Sequence, residues 1–222
     1  MTRRITAVLL TLSGVMPGYV GAGVLESRPS CVTTVVALDT SLANDELGTF
    51  SGRAIGQTFR AVDTLITRVT VWRPANDIDA VGTHLFITTV DTSYVPAKPI
   101  TQGIVQDGPT VLVRGNDVPG PLIRLDFILD PPCALPHPGI FAFFLQREHC
   151  DPGESRFVSS NANPYPDGIS WISGSVAFLP CYLRSVDGGG DLWDVIFEIE
   201  FCHDITTPVR PTTWGRLKIL YR

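Results

Sequence analysis

At 222 residues, with 44% hydrophobic and 18% charged residues, the chain has room for one all-β domain with a full core plus terminal extensions, and it is too apolar for disorder. Its 20 Gly and 18 Pro are too many turn formers for a helical protein and favour short strands joined by tight loops. A formal net charge of -5 offers no basic field to neutralise phosphates, which removes nucleic acid from the expected partners.

The first 22 residues read as a signal peptide. Arg3 and Arg4 form a basic head, residues 5–15 are an apolar run too short to span a bilayer, and Pro17 and Gly18 break it before Gly21, Ala22 and Gly23. A buried N-terminal helix or strand is the competing reading. No later run is long enough for a transmembrane segment, and Cys31 follows Arg28, Pro29 and Ser30 rather than a lipobox. The expected location is secreted, periplasmic or at the cell surface. Five cysteines in an exported chain imply disulfides with one thiol left over. Cys150–Cys181 is the first pair expected, worth about 3–4 kcal/mol in the chain-entropy model. Cys31–Cys202 is the second, joining the first and last strands and leaving Cys133 free; spacing alone leaves the connectivity open.

Residues 31–38 are β-branched and read as the first strand, and 39–51 as a polar loop. Strands follow at 54–59 and 65–72, the second with Leu65, Val69 and Val71 on one face and Trp72 on the other. Another is expected at 83–90, before a loop at 91–99 that carries Tyr94, Pro96 and Pro99. The next pair is 110–114 and 122–129; in the latter Ile123, Leu125, Phe127 and Leu129 alternate with Arg124 and Asp126. Residues 130–139 are too rich in proline to pair in a sheet. The strand at 140–146 is apolar on both faces and should be central. Short strands at 156–158 and 169–172 flank a turn-forming run, 163–168, expected to hold Tyr165 at the surface. An edge strand at 179–186 then leads into a glycine loop at 187–191.

The clearest strand is the last, 191–202. Trp193, Val195, Phe197, Ile199 and Phe201 alternate with Asp194, Glu198 and Glu200, so one face belongs in a core and the other in water. The domain is therefore expected to span 23–203. Residues 204–222 form a proline-containing linker and a basic aromatic tail in which Trp214, Leu217 and Tyr221 share a helical stripe beside Arg216, Lys218 and Arg222.

Several short motifs together resemble a known pattern: Gln57-Thr58-Phe59, the 65–71 strand, Leu135-Pro136-His137-Pro138-Gly139 with the strand after it, Tyr165-Pro166-Asp167-Gly168, and 191–200. Spread over about 54–201, they resemble exported bacterial jelly-roll modules, found beside surface-anchoring signals and similar to carbohydrate-binding modules. The chain departs from anchored versions in lacking a hydrophobic C-terminal anchor. The resemblance implies an antiparallel β-sandwich of jelly-roll type and a non-catalytic binding or interaction role, with glycan the leading ligand class. Two alternatives stand beside it, a glycoside hydrolase and a structural cell-surface component.

The candidate residues follow from these readings. Trp72, Tyr94 and Tyr165 are the aromatics free of a core assignment and therefore able to stack on a sugar ring, whereas Trp171 and Trp193 read as packing residues. Asp187 and Asp191 flank three glycines, where a loop could bring oxygens onto a structural calcium ion; modules of the resembled kind often carry one, and a plain turn is the competing reading. Glu198 and Glu200 share a strand face, and the string 197–201 resembles part of the acidic strand of jelly-roll endoglucanases. Where that family places its first catalytic glutamate this chain has Ile196, which leaves a solvated outer face as the preferred reading. His84, His137, His149 and His203 show no metal-ligand spacing, and there is no nucleophile elbow.

Overall fold

The computed structural model describes residues 31–49, 52–75, 81–112, 121–150, 153–174, 183–184, 186–190 and 193–204. The expected signal peptide and the tail beyond Asp204 lie outside these residues. The described chain is all-β: β1 (Cys31–Ala37), β2 (Asp45–Thr49), β3 (Ala54–Ala61), β4 (Leu65–Pro74), β5 (Thr83–Asp91), β6 (Lys98–Val111), β7 (Leu122–Ala134), β8 (Gly139–Arg147), β9 (Ser155–Ser160), β10 (Ser170–Ser173), β11 (Val186–Gly190), β12 (Asp194–Val195) and β13 (Phe197–Asp204). Every pairing among them is antiparallel. They form a four-stranded sheet (β1-β13-β4-β7), a six-stranded sheet (β11-β10-β3-β8-β5-β6) and a three-stranded sheet (β12-β9-β2).

The two larger sheets bury their facing sides on one another, which is the sandwich that the alternating strands call for. Phe197, Ile199 and Phe201 of β13 and Ile123, Leu125 and Phe127 of β7 are fully buried, as their period-two spacing requires. They meet Phe59 of β3 and Phe143 of β8, with Phe143 edge-on to Phe197 at 5.6 Å and Phe59 lying 6.4 Å from Phe201. Each such ring removed from water contributes roughly 1.5–3 kcal/mol. Strand β8 is central in its sheet, between β3 and β5, and apolar on both sides. Phe141, Phe143 and Leu145 enter the main core, while Ala142 and Phe144 join Phe86, Ile169, Trp171, Leu183 and Val186 in a second cluster. A Cβ on Gly56, paired with Phe144 across β3 and β8, would run into the Phe144 ring.

Several expectations change. Residues 39–51 are not simply a loop: Asp39 caps a 3-10 turn at Thr40–Leu42, and β2 pairs with β9. In β4 it is Ile66, not Leu65, that joins Val69 and Val71 in the core, because the register against β7 shifts between Ile66 and Arg68. The same shift lets β7 run through Pro131 and Pro132, since they fall in the bulge and pairing resumes at Cys133 opposite Ile66. β7 is also an edge strand, where missing amide donors are tolerated. The strand expected at 110–114 is the end of the much longer β6, which begins at Lys98. The glycine run is strand rather than loop, with Gly189 and Gly190 paired to Trp171 and Ser170. β11, which holds it, is an edge strand at Val186–Gly190; of the strand expected at 179–186, residues 179–182 and 185 lie outside the described residues and 183–184 are not strand.

The last strand is two. Asp194 and Val195 pair with β9, then the chain crosses at Ile196, whose amide donates to the Val158 carbonyl, and β13 continues between β1 and β4. At the crossing the alternation is interrupted, because Asp194, Val195, Ile196 and Phe197 are all buried between the sheets. Trp193, expected in the core, is therefore 40% exposed, and Asp194, expected in water, is fully buried. Cys31 and Cys202 form a disulfide that ties β1 to β13, and Cys133 is a free, buried thiol whose pKa burial pushes up to about 11. Cys150 is disulfide-bonded, and its expected partner Cys181 lies outside the described residues. No helix among the described residues is long and apolar enough to cross a membrane.

Candidate functional site

The three aromatics singled out in the sequence end in three different settings. Tyr165, expected at the surface, is buried: its ring stands edge-on to Phe197 at 5.2 Å and its hydroxyl accepts the Arg60 amide at 2.9 Å. Burial raises its pKa. Turn chemistry dictates the backbone around Tyr165 but not the direction of a large apolar ring, which gains more from Phe197 than from water. Trp72 is half-buried on the outer face of the four-stranded sheet, with the Arg124 guanidinium 5.9 Å from its ring centre. Tyr94 is 55% exposed in the β5–β6 loop, with Lys98 Nζ 5.7 Å from its ring centre.

Tyr94 borders a cleft of about 340 Å³ whose opposite side is the turn that Tyr165 anchors. Val95, 98% exposed, and Pro96 extend the apolar wall; Ile140 contributes from β8, and Pro166 and Asp167 from the turn. Arg60 and Asp167, 3.4 Å apart and both half exposed, add a donor and an acceptor. The turn is held from beneath by buried polar groups. Asp194 accepts the Tyr165 amide at 2.9 Å and the Gln57 side-chain amide at 2.8 Å, and Gln57 Oε1 accepts the Val195 amide at 3.0 Å. Thr58 Oγ1 accepts from the Ile169 amide, and a Cβ on Gly168 would collide with the Thr58 carbonyl. Burial lifts the pKa of Asp194 above the usual carboxylate range, opposed by its hydrogen bonds from Tyr165 and Gln57. Asp194 and Gln57 thus position one wall of the cleft without reaching its surface.

Glu198 and Glu200 lie on the outer face of the four-stranded sheet, where Arg68 Nη2 donates to both. Arg124 lies 3.6 Å from Glu198 and 2.9 Å from Asp126, which also accepts from Thr70. Burial works against the charged form of Asp126, but the bonds from Thr70 and Arg124 and the charges of Arg124 and Arg68 outweigh it and lower the pKa. These carboxylates are neutralised within one cluster, whereas a glycosidase pair needs one acid held protonated and the other free to attack.

At the other end of the β5–β6 pair, His84 bridges Asp107, 2.6 Å from its Nε2, and Thr110, 2.8 Å from its Nδ1. The order carboxylate–imidazole–hydroxyl is that of a hydrolase triad, but the Asp107 side chain is 72% exposed, where a triad carboxylate orients the histidine from a buried position. No sequence spacing signals this group, because it is assembled across strands 23 and 26 residues apart. A larger cleft of about 580 Å³ is lined by Asp45, Glu46, Glu154 and Arg156, but Arg156 is already paired with both Glu46 and Glu154, and no aromatic lines it.

Asp191 and the side chain of Asp187, the two expected calcium ligands, lie outside the described residues. Among the described residues no group of three or more His, Cys, Asp or Glu side chains is placed to hold a metal ion. No protein-family model matches the chain, and a search of curated proteins finds no significant relative.

Proposed function

We propose that the protein is an exported, non-catalytic binding module of the kind its motifs resemble, and that it takes a glycan in the cleft between Tyr94 and the 166–168 turn. The observation that carries this reading is the exposed Tyr94 ring beside an apolar wall and the Arg60–Asp167 pair, within a single cleft. A sugar offers an apolar ring face and a rim of hydroxyls, which an aromatic face and a neighbouring donor and acceptor match. The Cys31–Cys202 disulfide supports an oxidising compartment. Tyr165 leaves the ligand set and becomes a positioning residue. Trp72 leaves it too, being set on the other sheet beneath Arg124.

A glycan array run beside a hydrolysis screen on the same sugars tests the proposal. Tyr94→Ala is expected to weaken binding about tenfold, the loss of one stacking contact, with the melting temperature unchanged. Glycan binding that survives Tyr94→Ala unchanged would move the site elsewhere, and hydrolysis abolished by Glu198→Gln would make the protein an enzyme.

A further inference from the structure

The His84 end of the six-stranded sheet carries a cleft of about 270 Å³ whose unfilled polar groups share one character. His84 is paired with Thr110 on β6 and with Gln146 on β8, so the three side chains stand on one face. His84 Nε2 lies 2.6 Å from Asp107 Oδ1, and Nδ1 lies 2.8 Å from the Thr110 hydroxyl. Both ring nitrogens are thereby used. What remains at Asp107 is its second oxygen.

Gln146 supplies an independent observation. It is 2% exposed, and its Nε2 donates to the Gly52 carbonyl at 2.8 Å, which fixes which end of the amide is oxygen. That oxygen, Oε1, is buried in the cleft lining with no partner among the described residues. A buried acceptor left without a donor is costly, so a donor brought by a ligand would be favoured there. Glu148 adds a carboxylate to the same cleft, with His149 Nε2 3.7 Å from it, and Arg147 Nη1 donates to the Glu154 carbonyl and Ser155 Oγ.

We propose that this cleft binds a primary ammonium group, through Gln146 Oε1 and the carboxylates of Asp107 and Glu148. An ammonium brings three N–H donors and a positive charge to a cleft lined by an unpartnered amide oxygen and two carboxylates. A metal ion fits less well, since it needs several ligands converging on one point and no such group is found among the described residues. The volume suits a single hexosamine ring or the end of a lysine side chain. The site is separate from the Tyr94 cleft, and its failure leaves that reading standing.

The test is calorimetric titration of the oxidised protein with glucosamine, N-acetylglucosamine and Nα-acetyl-lysine amide. Saturable binding is expected for at least one of the two amines, at least about tenfold tighter than for N-acetylglucosamine, which keeps the ring but lacks the charge. Which amine binds tighter identifies the source of the ammonium. Gln146→Leu should abolish binding; because it also gives up the bond to Gly52, the exposed Asp107→Asn serves as the second variant, weakening binding about tenfold with an unchanged melting curve. No binding by either amine, equal binding of N-acetylglucosamine, or an Asp107→Asn variant that binds normally would each overturn the proposal.

Discussion

The outer faces of the two large sheets use polar residues in opposite ways. On the four-stranded sheet Arg68, Arg124, Asp126, Glu198 and Glu200 answer one another, and Arg124 also covers half-buried Trp72, so the charges and the aromatic are met within the chain, with Arg68 Nε left without a hydrogen-bond partner among the described residues. On the six-stranded sheet the surface is broken by two clefts, one holding an exposed tyrosine and the other a buried amide oxygen without a donor. Charge density is therefore a poor guide to a site: the face with more ionised groups has less capacity left for a ligand. The difference follows from register. Cross-strand pairing of Glu200 with Arg68 and of Asp126 with Thr70 sets opposite groups side by side, whereas Gln146 faces Ala54 and His84, neither of which supplies its oxygen with a donor.

The largest effect that can test this contrast is at Asp194, which supports the Tyr94 cleft from inside. Asp194→Ala leaves the Tyr165 amide without its acceptor and Gln57 Nε2 with only the Thr58 carbonyl, and should cost about 2–3 kcal/mol, read as a shift in the denaturant midpoint. Its pH dependence has a definite sign. The folded-state pKa of Asp194 is raised, so the contribution linked to its titration is complete below the unfolded carboxylate pKa and is lost as pH rises through the folded value. The wild type's advantage over Asp194→Ala should thus be largest in acid and shrink as pH climbs above about 4. Glycan binding should fall with it, because the 166–168 wall loses its anchor. A variant that is destabilised yet binds normally would separate the turn from the site.

A smaller effect is expected at Trp72. Its half-buried ring packs against the core and under Arg124, so Trp72→Ala should cost about 1–2 kcal/mol of stability while leaving glycan affinity intact. The reverse pattern, affinity lost with stability kept, would place a ligand on the four-stranded sheet and erase the contrast between the faces.

The parts legible in the sequence are those governed by a single local periodicity. Ile123 to Leu129 and Phe197 to Phe201 alternate without interruption, and their inward residues are the ones buried. Where the structure changes phase, alternation misleads. The bulge opposite Ile66 exchanges it for Leu65, and the sheet crossing at Ile196 exchanges Asp194 for Trp193. Proline told the truth about missing donors but not about edges and bulges, where they do no harm. Among the candidate site residues, the exposure of Tyr94 was legible because Pro96 and Pro99 mark its stretch as a loop. Tyr165 was not, since its partner Phe197 is 32 residues away and no local rule aims a turn residue inward. The His84–Asp107–Thr110 group required the register of β5 on β6, and β6 itself, with Gly103, Gly108 and Pro109 in a run that lacks clean alternation, has little strand signal.

The smallest expected effect is on the charged face itself. Arg68→Ala removes the common partner of Glu198 and Glu200 and leaves two like charges on one strand face, yet all these side chains are partly solvated. The loss should stay below about 1 kcal/mol at low salt and vanish near 1 M salt, where the screening length falls to about 3 Å. Asp126 gives a second sign to check. Its pKa is lowered in the folded state, so its contribution is present above the unfolded carboxylate pKa and is lost as pH falls through the folded value, the opposite direction to Asp194. Arg68→Ala should flatten that acid limb, because one of the charges holding Asp126 ionised is gone, while Arg124 and Thr70 keep part of it. A loss of several kcal/mol that persists in high salt would mean that the cluster is a structural element of the sheet rather than a set of mutually satisfied surface charges, and the two faces would then differ in stability as well as in capacity for a ligand.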